Sequence, residues 1–521
     1  MQSKDKDSFP IFVLAILLLV LALHNFVPVM VQAIIRYKYI TAFVVTSIIM
    51  GLCLLIRSKA ICYSQERELR TRLNRATGAD CIQLGQDRRG NPVYMPLAAR
   101  KMHSQVVGTT NAGKTESVIL PWAIDDIKKG RGLILIDGKA DRGLLDKLYA
   151  YSVKYKRSKD FRLFSLVSPD FSSSFNPLIG GSAYEIAERV FSSLSFEVEY
   201  YKNIQYEVLK QTLYLFEKTN TVPTFSKIIQ AITNPFAMQM LANKAKDPLL
   251  SMWVDQFVKL DKDEREQRTS GLVSQLGHFV SGETAALFNA MESQINVEHA
   301  IREGLIVYFQ LPVMKTPTLG KATAKMALQC LQSAVSSRHL EPDKNFPFFG
   351  VYLDDFTEYL TTNFINLLNK SRSANIGITF AHQAQGDLGA LGDEIKNAIQ
   401  TNSNIKVFMR TNEPESAEYF ARLIGTQAGI KTTERQKKTL AGTERTGDGS
   451  VRDVEEFLFH PNKFKRDLGV GDAVLVVPFS DGSFATDVKF EMLPDLDVCP
   501  LPRIAKLPAA NLVIERERRS A

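Results

Sequence analysis

From about Pro92 to Pro478 short apolar, β-branched runs recur along the chain: Gln105–Val107, Gly132–Asp137, Phe161–Val167, Leu305–Leu311, Phe348–Asp354, Ile376–Ala381, Ile405–Arg410 and Ala473–Pro478. They are continuous rather than alternating, which suits strands covered on both faces, as in a parallel sheet. Helix-like stretches separate most of them, so the pattern predicts an α/β fold with helices on both sides of the sheet. Between about Ser182 and Ala300 the rhythm breaks. No strand-like run occurs there, and Tyr184–Tyr201, Gln205–Thr219 and Glu264–Val280 have helical period instead, with turns at Pro223-Thr224 and Asn234-Pro235. That predicts an all-helical domain inserted into the α/β core. The polar segment Ile430–Gly449 is expected to be a mobile loop, with Ser450 and Asp453 after it forming a helix-start box.

The N-terminus follows another rule. Phe9 to about Val29 is apolar apart from His24 and Asn25, and Tyr39–Ile56 is a second apolar run. About 20 helical residues cross the hydrocarbon layer of a membrane. The two runs therefore predict a transmembrane hairpin, with helices over about 9–29 and 39–56. A cleaved leader ending near Val31-Gln32-Ala33 fits less well, because Lys4 and Lys6 are balanced by Asp5 and Asp7. Arg57, Lys59, Arg67, Arg70, Arg72 and Arg75 outnumber Glu66 and Glu68 beyond the second run, which puts the large domain on the cytoplasmic side. The expected organisation is an anchor over 1–62, a nucleotide-binding domain over 63–181 and 301–492, the helical insert over 182–300, and a tail over 493–521.

Composition changes this picture little. The formal net charge of +8 suits nucleic acid or anionic lipid as a partner without choosing between them. The five cysteines are scattered, with no CxxC pair, and read as thiols in a reducing compartment. His103, His278, His382 and His460 show no metal-ligand spacing.

The chemistry is concentrated in a few motifs. Gly108-Thr109-Thr110-Asn111-Ala112-Gly113-Lys114-Thr115 fits the P-loop pattern GxxxxGK[ST], between an apolar strand and a helix-compatible run. Glycines let the backbone wrap phosphates, and amides at a helix start attract negative charge. Lys114 would reach the β- and γ-phosphates and Thr115 would ligate Mg²⁺, so ATP and Mg²⁺ are the expected ligands, with Glu116 closing the binding segment. The run Phe348–Leu353 ends in Asp354-Asp355. An acidic pair there suits a metal-side carboxylate, Asp354, and a water-activating one, Asp355, although an acid at a strand end also serves as a helix cap. Gln383 follows the next strand, where an amide contacts a γ-phosphate or simply faces solvent. Arg372 is either a finger for a neighbouring subunit's nucleotide or a solvated cation at a helix end. Asp137-Gly138-Lys139 ends another strand and is placed to face the same site.

Taken in order, the two-helix N-terminus, the P-loop, Leu133–Asp137 with Gly138-Lys139, Phe175-Asn176-Pro177-Leu178, the helical insert, Leu353-Asp354-Asp355-Phe356, Ala381-His382-Gln383 and Gly469-Val470-Gly471-Asp472-Ala473 resemble the TraD/TraG-like coupling proteins of conjugation and type IV secretion. The resemblance spans about residues 10–490. It implies a RecA-like motor domain and a homo-hexamer at the bacterial inner membrane, docked on a secretion channel. It further implies that ATP hydrolysis pumps single-stranded DNA with its attached relaxase, which the helical insert would meet at the ring entrance. By the same resemblance Lys114 and Thr115 match the nucleotide and metal positions, Asp354 the metal position, Asp355 the base, Arg372 the finger and Gln383 the sensor. The family usually has Glu where this chain has Asp355, and Gly-Ser where it has Asn111-Ala112. Another P-loop DNA translocase, a non-hydrolysing adaptor and a protein-only exporter are the alternative readings.

Overall fold

The computed structural model describes residues 43, 45–53, 80–196, 198–342, 345–439, 442–479 and 482–507. The predicted membrane helices lie mostly outside this set. Residues 45–53 are helical, with Val45, Ile48, Ile49, Met50 and Leu52 exposed. Among the described residues no helix is long and apolar enough to cross a membrane.

The larger unit is built on one eleven-stranded sheet. Its strands are β1 (Cys81–Gln86), β2 (Pro92–Pro96), β3 (Ser104–Val107), β4 (Gly132–Asp137), β5 (Phe161–Ser165), β6 (Ile306–Gln310), β7 (Phe349–Asp354), β8 (Ile376–His382) and β9 (Ile405–Phe408). A separate ladder pairs β10 (Thr426–Thr439) with β11 (Gly442–Phe457), and β12 (Asp472–Phe479) and β13 (Gly482–Phe490) complete the large sheet. The order is β2-β1-β13-β12-β9-β3-β8-β7-β4-β6-β5. From β9 to β5 all neighbours are parallel, and from β9 to β2 all are antiparallel. The sheet is thus mostly parallel, and every predicted run is one of its strands. Ala473–Pro478, however, belongs to the antiparallel flank.

The helices have readable starts. A wide π turn over Lys114–Ile119 leads into α1 (Leu120–Lys128), and α2 (Arg142–Lys154) begins at Asp141, whose carboxylate accepts from the amides of Gly143 and Leu144. Between β5 and β6 come α3 (Ala183–Phe191), α4 (Glu199–Lys218), α5 (Phe225–Thr233), α6 (Pro235–Ala245), α7 (Pro248–Lys259), α8 (Lys262–Gly277) and α9 (Val297–Glu303). Ser182 and Glu185 form a reciprocal capping box at α3, and Asn234, Asp247 and Asp261 cap α6, α7 and α8. Among the described residues no strand interrupts this helical stretch. The predicted helix Tyr184–Tyr201 is broken, however: α3 ends at Phe191 and α4 starts at Glu199. Phe196 stacks on Phe191 at 4.5 Å with rings nearly parallel, so an apolar contact folds the chain back where no Pro or Gly announces a turn. Beyond β6 follow α10 (Pro317–Leu340), α11 (Asn363–Ser371), α12 (Asp393–Asn402) and α13 (Pro414–Ile424).

One apolar core runs from Ile136, Phe309 and Leu353 of the strands through Leu331 of α10 to Leu213, Ile228 and Leu272 of the insert. Insert and sheet are therefore packed as one mass. A second cluster joins Phe408, Phe420, Phe464 and Val474 around β9, β12 and α13.

The expected loop Ile430–Gly449 is instead the β10–β11 hairpin, and Ser450 and Asp453 lie within β11 rather than at a helix start. The ladder is long, from Thr426 facing Phe457 to Thr439 facing Gly442, with one irregularity between Glu434 and Gln436. Backbone pairing of antiparallel neighbours needs no apolar face, so a polar, Thr-rich segment forms it without the hydrophobic pattern that marks buried strands.

Candidate nucleotide site

Strands β3, β4, β7 and β8 run parallel, so their C-terminal ends share one rim of the sheet, and the P-loop leaves β3 at that rim. The loop is shaped by two residues with positive φ, Asn111 (φ 63) and Gly113 (φ 96). A Cβ at Gly113 would stand 3.1 Å from the Gly471 nitrogen. Gly471, from the segment leading into β12, donates its amide to Ala112 O at 3.0 Å, which braces the loop from outside. At the loop's start Gly108 N donates to His382 O and Thr109 N to Arg410 O.

Against that bracing, the amides of Thr110, Asn111, Gly113, Lys114, Thr115 and Glu116 have no backbone acceptor among the described residues. Donors left over at a helix start form an anion cradle. Lys114, 7% exposed, folds onto the same loop and donates to Gly108 O (2.6 Å) and Thr109 O (3.2 Å). Burial lowers the pKa of its amine, with the Asp354 carboxylate opposing.

The acidic pair lies beside the loop. Thr115 Oγ1 donates to Asp354 Oδ2 at 2.8 Å. Asp354 is 1% exposed, and burial raises its pKa against the pull of Lys139. Asp355 takes a left-handed conformation (φ 48), with its amide 3.1 Å from Asp354 Oδ1. Asp tolerates that region better than most side chains. The geometry thus gives a local reason for Asp at this position. Glu358, three residues on, points elsewhere, to Lys321 at 2.9 Å.

Strand β4 ends level with β7, Asp137 facing Asp354. Asp137 is fully buried and accepts from Tyr308 Oη (2.8 Å) and from the amides of Lys139 (2.9 Å) and Asp141 (2.6 Å). Burial pushes its pKa up to about 6 in spite of those donors. Lys139 leaves this turn and places Nζ 2.9 Å from Asp355 Oδ2 and 3.9 Å from Asp354 Oδ2. Tyr359 completes the floor, donating to Asp354 O at 2.8 Å.

Not every residue singled out in the sequence meets here. Gln383 does, its Oε1 accepting from Thr110 Oγ1 at 3.2 Å. Glu116 turns its carboxylate to Lys147 of α2 at 2.7 Å, leaving only its amide toward the loop. Arg372 follows α11 and lies before β8, at the opposite rim, exposed. The length of β8, about 20 Å at about 3.3 Å per residue, separates it from the P-loop of its own chain. Tyr308, Tyr359 and Gly471 carried no signal of their own. Their roles arise from register and packing, although Gly471 stands in a motif noted in the sequence.

The donor set fits a phosphate chain and a hard cation. Among the described residues no group of three or more His, Cys, Asp or Glu could hold a metal by itself. Thr115 and Asp354 offer one hydroxyl and one carboxylate, the sparse protein share usual for Mg²⁺, which keeps waters and phosphate oxygens for the rest.

The mostly parallel sheet, the P-loop after β3 and the acidic end of β7 define a RecA-like P-loop protein. Within that class its similarities are to TraD/TraG-like proteins. A family model described as the TraM recognition site of TraD and TraG matches residues 349–467. The type 4 coupling protein DotL of Legionella pneumophila (subsp. pneumophila, strain Philadelphia 1) is 21% identical over 418 residues, which cover 68% of this chain and 53% of DotL. The chain thus spans about half the length of that relative. The bacterial conjugative coupling protein TrwB, without its first 70 residues, superposes with a TM-score of 0.59 at 13% identity, covering 83% of this chain and 94% of TrwB. TrwB with ADP and Mg²⁺ gives the same values, and TrwB with a non-hydrolysable GTP analogue gives 0.58 at 15% identity. At such identity the likeness establishes the fold.

Proposed function

We propose that this protein is a membrane-anchored ATPase that couples a DNA substrate to a type IV secretion channel. In this reading it pumps single-stranded DNA, with its relaxase attached, as a homo-hexamer at the bacterial inner membrane. One observation carries the catalytic part: the Thr115–Asp354 hydrogen bond joins an acidic strand end to a P-loop in which six amides have no backbone acceptor among the described residues. The coupling-protein names of DotL and TrwB, and the nucleotide bound in the TrwB structures, support the same assignment. The exposed apolar helix at 45–53 is in keeping with a membrane anchor.

The cradle amides and Lys114 bind the phosphates of ATP. Thr115 and Asp354 hold Mg²⁺, which when bound neutralises charge on the transferring phosphoryl group. Asp355 orients the attacking water and accepts its proton. Gln383, tied to Thr110, lies where an amide registers the terminal phosphate, and Arg372 reaches the site of a neighbouring subunit. ATP turnover by the full-length protein in detergent, with and without single-stranded DNA, tests this reading. Turnover that rises with DNA is expected. Tight binding without turnover would make the protein an adaptor, and turnover indifferent to DNA would favour a protein-only exporter.

A further inference from the structure

Lys139 has no part in the scheme above, yet its amine rests on the carboxylate assigned as base. The turn that carries it is tightly held. The Asp137 carboxylate binds the amides of Lys139 and Asp141 together with the Tyr308 hydroxyl, and Ala140 is in a left-handed conformation (φ 57). The base of Lys139 is therefore rigid. Its amine is on a four-carbon stem, 49% exposed, and rests on Asp355 Oδ2 at 2.9 Å. The two lysines of the site differ in kind. Lys114 is enclosed by carbonyls of its own loop, whereas Lys139 comes from the neighbouring strand and stands over the acidic pair.

A half-exposed ion pair of this sort contributes little to stability. It does place a cation on the residue assigned as base. Resting on our reading of the site as an ATPase centre, we propose that Lys139 is a positioning residue that exchanges the Asp355 carboxylate for the terminal phosphate of the bound nucleotide. A triphosphate presents more negative charge than one carboxylate and draws the amine away, which leaves Asp355 free to face water. A diphosphate lacks that terminal group, and Lys139 stays on Asp355. Lysine suits this role better than arginine, because it is a compact charge on a flexible stem, whereas a guanidinium would fork onto the carboxylate and remain there.

The test is binding rather than turnover. Full-length wild type, Lys139→Gln and Lys139→Arg are titrated with fluorescent ADP and with a fluorescent non-hydrolysable ATP analogue, both with Mg²⁺. Wild type is expected to prefer the triphosphate. Lys139→Gln should lose about tenfold or more of that preference while ADP affinity stays within about twofold, and Lys139→Arg should retain part of it. A merely structural role would weaken both ligands together. Unchanged preference in Lys139→Gln, or equal loss for both ligands, overturns the proposal alone. A wild type that binds neither nucleotide overturns the site reading and the proposal with it. Thermal unfolding of the three proteins, expected to coincide, shows that the substitution has not disturbed the fold.

Discussion

In the proposed ATPase reading, Asp355 is the residue on which the chemistry turns. Its left-handed backbone and its pairing with Lys139 put its carboxylate beside the P-loop, while Glu358 is tied to Lys321. Single-turnover hydrolysis should therefore fall by about 10²–10⁴-fold in Asp355→Asn, with ATP binding retained, and change little in Glu358→Gln. Asp355→Glu is expected to slow hydrolysis as well, because the longer side chain is less at ease in the left-handed region. The reverse pattern, a silent Asp355→Asn and a dead Glu358→Gln, would move the base to Glu358. Lys406 of β9 presents a different case. It is buried, and its amine donates to Gln105 Oε1 (2.8 Å), Gln400 O (2.7 Å) and Ser403 Oγ (2.9 Å), with no carboxylate among these partners. Burial lowers its pKa to about 7. The unfolded chain holds that proton up to about pH 10.4, so between the two values the unfolded state binds more protons and stability rises with pH. Denaturant unfolding of wild type at pH 7 and pH 9 should show a gain on the order of a few kcal/mol relative to Lys406→Met. A difference that does not vary with pH would mean that Lys406 keeps its proton in the folded protein up to pH 9, because water reaches it.

At the scale of elements, the β10–β11 hairpin is a two-stranded sheet that pairs with no strand of the main one. Gly429 and Val454 face each other across the ladder, so replacing residues 430–453 by a two-residue Asn-Gly turn should close the cut without strain. The shortened protein is expected to bind nucleotide as before, with Tm within about 2 °C of wild type, because the core clusters of the described residues include none from 430–453. A larger loss would show that the hairpin supports α13 as well as itself. This hairpin also shows what the sequence could not announce. The strands β3, β4, β6, β7, β8 and β9 are buried along their whole lengths and appear as unbroken apolar runs. The flank strands β1, β2 and β13 are only partly covered and carry Gln, Gly, Ser and Asp among their residues, so the same criterion passes over them. Site residues followed the same division. Lys114, Thr115, Asp354 and Asp355 stand at fixed spacings in motifs, while Tyr308 matters only because the neighbouring β6 brings it to Asp137, and Tyr359 because the turn after β7 folds its hydroxyl back onto Asp354 O.

For the molecule as a whole, Arg372 raises the question of assembly. It lies at the rim of the sheet remote from its own P-loop, exposed, and serves hydrolysis only if another copy places its site there. Mixing wild type with Arg372→Ala at constant total protein should then depress turnover more steeply than simple dilution of the active chains. A strictly proportional curve would assign Arg372 no role across subunits.

The brace on the P-loop has a consequence for the order in which the protein is made. Ala112 leaves the ribosome well before its partner Gly471, which comes shortly before β12 and β13 complete the sheet against β1. At about 5–20 residues per second, some tens of seconds of translation separate the two. During that interval the loop has its glycines and its lysine but not the backbone that holds it in shape. A nascent chain therefore carries the P-loop motif long before it carries the backbone contact from Gly471 that braces the loop.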